Sequence, residues 1–167
     1  MNKLWIIIPV IAVLAAALLF GCKAKKSADW DNVKITSFSY SQSGMSTDSI
    51  YTYTLTRENG KAVLHADLNA GYYEADAELD ESAFDTLNEI ARQYKLEEWD
   101  GFDKVNKMAL DGSSFGLHIN LEDGSSIDAY GSNSFPTGYG EASRKIVECF
   151  ESLVEENAEI KEKPQEY

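Results

Sequence analysis

The chain predicts an α+β fold: a single domain in which an antiparallel sheet of about six strands carries two helices on one face. Three observations predict it. Four strand-like stretches lie between residues 33 and 79, and two more between residues 115 and 130. Turn residues separate the strands at hairpin spacing. Each group is followed by an amphipathic helical pattern. At 167 residues, with a leader set aside, the chain suits one core rather than two.

Composition narrows the class of function. The net charge is −13, from 28 acidic and 15 basic side chains. Such a domain repels phosphate backbones, which disfavours nucleic acid as a partner. The charge keeps the domain soluble, and it would attract a cation or a basic partner. Hydrophobic residues at 44% and aromatics at 11% exclude a disordered chain.

The first 22 residues set an address. A start with one lysine, Lys3, leads into the apolar run of residues 4–20 (LWIIIPVIAVLAAALLF), closed by Leu19, Phe20, Gly21 and Cys22. A charged start, an apolar run and a small residue before the cut describe a secretory signal. The alternative is an uncleaved transmembrane helix. The run is short for that, Pro9 interrupts it, and Lys23, Lys25 and Lys26 follow on the wrong side for it. The organisation expected is a signal peptide at 1–21, a tether at 22–31, a globular domain at 32–157 and a charged tail at 158–167.

Within the domain, residues 33–42 (VKITSFSYSQ) and 50–57 (IYTYTLTR) are rich in the β-branched and aromatic residues of strands. Asn59-Gly60 is a hairpin signal, and residues 62–68 return with Ala62, Leu64, Ala66 and Leu68 on one face. A fourth strand, residues 72–79, places Tyr73, Ala75, Ala77 and Leu79 on one face. Glu74, Asp76, Glu78 and Asp80 fall on the other. That acidic stripe reads as a solvated face that discourages edge pairing, or as oxygen ligands for a divalent cation at Glu74, Asp76 and Glu78.

Asp80 or Ser82 is expected to cap the first helix, with Ser82 and Asp85 as a capping box, and Phe84, Leu87, Ile90, Ala91 and Tyr94 form its apolar stripe. Trp99 and Phe102 flank the turn Asp100-Gly101 and read as plugs between helix and sheet. Residues 115–121 alternate, Asp123-Gly124 turns the chain, and residues 126–130 return. A loop of small residues from Gly131 to Gly140 launches a helix over residues 141–157. Ala142, Ile146, Cys149, Phe150, Leu153 and Val154 lie on one face of that helix, and Glu141 stands four residues before Lys145. The charged tail is expected to fray.

Catalytic signatures are incomplete. Gly112-Ser113-Ser114-Phe115-Gly116 has the spacing of a nucleophile elbow, but a strand pattern follows where a helix is required. Gly138-Tyr139-Gly140 opens a helix with no strand after it to build a dinucleotide site. His65 and His118 have no second histidine or cysteine at zinc-ligand spacing. No cofactor is called for.

Two resemblances add to this reading. Leu19-Phe20-Gly21-Cys22 resembles the lipobox of bacterial lipoproteins, which implies that Cys22 carries diacylglycerol on its sulfur and is the mature N-terminus. That chemistry leaves Cys149 without an intramolecular disulfide partner. Trp99-Asp100-Gly101-Phe102 and residues 110–140 are similar to domains of small lipoproteins of Gram-positive, clostridia-like bacteria. Their shared motifs imply architecture, with Phe135 plugging the core and Pro136 stiffening the approach to the last helix. Alternatively Ser132, Asn133, Phe135 and Tyr139 form a recognition loop. The function expected is a membrane-anchored extracytoplasmic binding or interaction module without catalysis, its partner an envelope protein or a cation. The alternative is a small envelope-acting hydrolase using paired carboxylates.

Overall fold

The computed structural model describes residues 33–108 and 112–164. The leader, the lipobox Leu19, Phe20, Gly21 and Cys22, and the tether lie outside the described residues. Among the described residues the fold is α+β with two helices, but the sheet is larger than six strands and is not wholly antiparallel. Its strands are β1 (Ile35–Ser43), β2 (Tyr51–Glu58), β3 (Lys61–Leu68), β4 (Tyr73–Leu79), β5 (Phe102–Val105), β6 (Ser114–Leu121), β7 (Ser126–Ser132) and β8 (Lys161–Glu162). They lie in the order β5-β7-β6-β1-β2-β3-β4-β8. The helices are α1 (Ala83–Gln93) and α2 (Tyr139–Asn157), and short 3-10 turns occupy Thr47–Ser49 and Leu96–Trp99. Among the described residues no helix is long and apolar enough to cross a membrane.

The expected alternation builds the sheet. Leu55 pairs with Leu64, and Leu64 with Ala77, so apolar side chains meet on one face across β2, β3 and β4. Asn59 and Gly60 both take positive φ, as a two-residue hairpin demands of its central pair. β1 departs from strict alternation: the register shifts between Ile35 and Ser37. This bulge lets Ile35 face inward together with Phe38 and Tyr40, all three fully buried. Both helices cover that inner face, where Phe84, Leu87, Ile146 and Phe150 complete the core.

Two strands were not expected. After Trp99, the Asp100 carboxylate accepts the N–H of Asp128 at 3.0 Å, and the N–H of Gly101 donates to the Asp128 carbonyl at 2.7 Å. Those bonds dock residues 102–105 beside β7 in the parallel sense, making the sheet mixed. At the opposite edge the tail does not simply fray. Lys161 and Glu162 pair with Glu74 and Tyr73 of β4, and Lys163 reaches Asp67. The charges of the tail therefore serve as an anchor across the sheet edge.

Two local expectations also change. Ser82 already has helical angles, φ −60° and ψ −16°, and makes no side-chain cap, so the capping box is absent. Asp80 instead accepts from Lys61 Nζ at 3.0 Å. On α2, Lys145 reaches Glu148 at 2.7 Å, a carboxylate it shares with Arg144.

Burial pushes the Cys149 thiol up to about 11, as expected of a thiol packed along the helix face. Its thiolate is the reactive form, and an ordinary thiol titrates near 8.5. Alkylation of Cys149 by iodoacetamide at pH 8, followed by peptide mass mapping, should run roughly a hundredfold slower in the folded protein than in urea. Equal rates would show the thiol to be free of the core.

Candidate functional site

Three regions were candidates, and the structure distinguishes them. The loop after β7 packs against the core through Tyr139, while Phe135, expected to plug the core, remains 39% exposed. Asn133 sits at φ 51° and its N–H donates to the Ser113 carbonyl, while Ser132 ends β7 opposite Ser114. Phe135 stacks on Tyr139 at 4.5 Å, Tyr139 lies 4.6 Å from the Phe115 ring, and Trp99 meets Phe115 edge-on at 5.9 Å. The Tyr139 hydroxyl lies 3.0 Å from that of Tyr40. These contacts join the start of α2 to the sheet. Ser114, central to the elbow-like motif, lies within β6 and bonds to Ser43 at 2.8 Å, with no helix after it.

The acidic stripe lies on the face of the sheet away from the helices. Cross-strand register sets one continuous row there: Asp128, His118, Ser39, Thr54, His65 and Asp76. Each end is a carboxylate–imidazole pair. His118 Nδ1 lies 2.5 Å from Asp128, and His65 Nδ1 lies 2.7 Å from Asp76. Donation by the Ser126 hydroxyl and then by His118 holds the Asp128 carboxyl below the usual carboxylate range. In the middle of the row, the Ser39 and Thr54 hydroxyls bond to each other at 3.2 Å. Along β4, Glu74 lies 3.6 Å from Lys163, Asp76 is taken up by His65, and Glu78 stands opposite Val63. Among the described residues no three or more His, Cys, Asp or Glu side chains converge as they would on a metal ion.

The third region had no signal in the sequence. A groove of about 390 Å³ opens on the helical side of the sheet, where α2 nears its end. Tyr51 and Tyr53 come from β2, their rings 5.2 Å apart. Leu68 and Tyr73, directly opposed across β3 and β4, form the next part of the wall. Glu151 comes from α2, Asp48 from the 3-10 turn before β2, and Ile160 from the segment that leads into β8. Tyr53 is nearly buried because Phe150 stacks flat against it at 5.1 Å. Burial, and after it the nearby Glu151 charge, pushes the Tyr53 phenol up to about 12. The Tyr51 phenol is raised chiefly by burial, then by Tyr53 and Tyr139, and last by the same carboxylate. Both phenols are therefore neutral at physiological pH.

Depressions of larger volume occur around Cys149, about 500 Å³, and around Met45, about 550 Å³. Neither has an aromatic wall. The tyrosine groove combines aromatic and aliphatic side chains with polar groups in about equal measure. It also brings together two carboxylates that are remote in sequence. Compared with protein-family models, curated proteins and solved structures, the chain shows no significant match.

Proposed function

We propose that the protein is a lipid-anchored binding module on the extracytoplasmic face of the cell membrane, held through Cys22, that takes up a ligand without transforming it. The tyrosine groove carries this reading, because it offers a shaped, half-apolar recess with carboxylates at its margin. The lipobox resemblance supports the anchor, and two acyl chains give stable membrane attachment where one is marginal.

A second reading has one observation in its favour. Asp48 and Glu151 line the same groove, so a small envelope-acting hydrolase using paired carboxylates would have its residues there. Thermal melting of the full-length protein in non-ionic detergent separates the readings. The ligands are amines, inorganic anions, divalent cations and cell-wall glycan fragments, with the mixtures analysed by mass spectrometry. A ligand at 100 times its Kd adds about 2.7 kcal/mol. That is a rise of several degrees for a domain of this size. A shift with no change in ligand mass supports the binding module. Turnover of a glycan fragment, lost in Glu151→Gln, would establish the hydrolase instead. No shift with any class would remove the groove as a ligand site. Anchoring is checked separately: Cys22→Ser should release the protein from the membrane fraction.

A further inference from the structure

We infer that the groove's ligand is a small organic cation, an alkylated ammonium compound; this rests on the reading of the groove as the binding site. Three features of the lining select that chemistry. Among the described residues its charged side chains are Asp48 and Glu151, with no lysine or arginine in the lining. Its accessible walls are the rings of Tyr51 and Tyr73, the latter 37% exposed. Phenol rings present a negative π face, and ammonium groups placed against such faces are attracted to them. Leu68 and Ile160 supply apolar surface that suits alkyl substituents.

The same lining argues against the competing ligand classes. An anion would meet two carboxylates and no compensating cation. A hard metal ion needs six or more converging oxygens. Here tyrosine rings and aliphatic side chains share the wall with Asp48, Asn69 and Glu151. The neighbouring cations are turned to other carboxylates: Lys163 reaches Asp67 and Glu74, and Arg144, which lines the adjoining recess with Tyr51 and Glu151, bonds to Glu148. The volume, about 390 Å³, is that of a small-molecule site rather than a docking surface for a folded partner.

The test uses choline and its uncharged carbon isostere, 3,3-dimethylbutanol, titrated into the full-length protein in non-ionic detergent. Binding is read from the ring resonances of Tyr51 and Tyr73 by NMR. Choline should shift both rings, and the isostere should bind at least tenfold more weakly. Glu151→Gln and Tyr73→Ala should each weaken choline at least tenfold while leaving the melting temperature near that of the parent. Vesicles bearing choline headgroups form a further arm: competition with free choline assigns a lipid source, and lack of competition assigns a free amine. Equal binding of choline and the isostere, unaffected by Glu151→Gln, would overturn the cation assignment and leave the groove as a binding site. No ring shift with any member of the wider ligand panel would overturn both.

Discussion

Gly131→Ala is expected to destabilise the domain by about 3 kcal/mol, the upper end for inserting one carbon into a packed site. At this size that corresponds to a loss of roughly 10 °C in melting temperature. Gly131 lies in β7 directly opposite Phe115. A Cβ there would come within 2.1 Å of the Ser134 carbonyl oxygen and 2.5 Å of the Phe115 ring. The ring is hemmed in by Trp99, Phe102, Phe135 and Tyr139, so it cannot swing away. The carbonyl belongs to a loop pinned through Asn133 to Ser113, so it cannot retreat without breaking that bond.

Gly140→Ala is the matched control. It lies in the first turn of α2 with nothing within 4 Å of the added carbon. There alanine should be neutral or stabilising by up to about 1 kcal/mol. Chemical denaturation of the two variants measures the contrast. A Gly131→Ala protein as stable as its parent would mean that the loop does not close over β7 as described.

That glycine shows what the sequence could and could not disclose. Alternation in residues 62–68 and 115–121, with Asn59-Gly60 and Asp123-Gly124 between strands, made the antiparallel strands legible, because both signals are local. β5 was illegible for the converse reason. Phe102-Asp103-Lys104-Val105 is too short to alternate convincingly, and its partner Ala129–Ser132 lies on the far side of β6 in the chain. β8 is two charged residues, and only the cross-sheet reach of Lys163 to Asp67 makes sense of them. The bulge near Thr36 shifts one residue's facing, which no periodicity reveals until the partner strand is known.

The same rule governs the functional surfaces. Trp99 was readable as a plug because an aromatic beside a turn has few other fates, whereas Phe135, read the same way, stays 39% exposed on the rim of the cluster. His65 and His118 read as isolated surface residues. Register alone places them in one row with two hydroxyls between and a carboxylate at each end. The groove was the least legible feature of all. Tyr51 and Tyr53 alternate as an ordinary half-buried strand, and Asp48 and Glu151 come to line one groove only through the way α2 packs on the sheet.

Phe150→Ala should destabilise the domain by about 3–5 kcal/mol. Phe150 is fully buried, stacks on Tyr53 with an interplanar angle of 7°, and tilts against Phe38 at 5.9 Å. Its ring is therefore where α2 is keyed to both β1 and β2. Removing it leaves a void between helix and sheet, and neither strand can move inward to fill it while its hydrogen-bonded neighbours hold it in register. Phe150→Leu retains most of the volume and should cost about half as much or less. The loss also reaches the groove, because Tyr53 keeps its place through that stack and Glu151 is the next residue on α2. A variant that still folds at low temperature should show altered Tyr51 and Tyr53 ring resonances, with Trp99 near Phe115 unchanged. Urea denaturation with near-ultraviolet circular dichroism measures the first effect, and NMR of the tyrosine rings the second. A loss below about 1 kcal/mol, typical of surface substitutions, would show that α2 is not keyed to the sheet through this ring. The groove's geometry would then need another support.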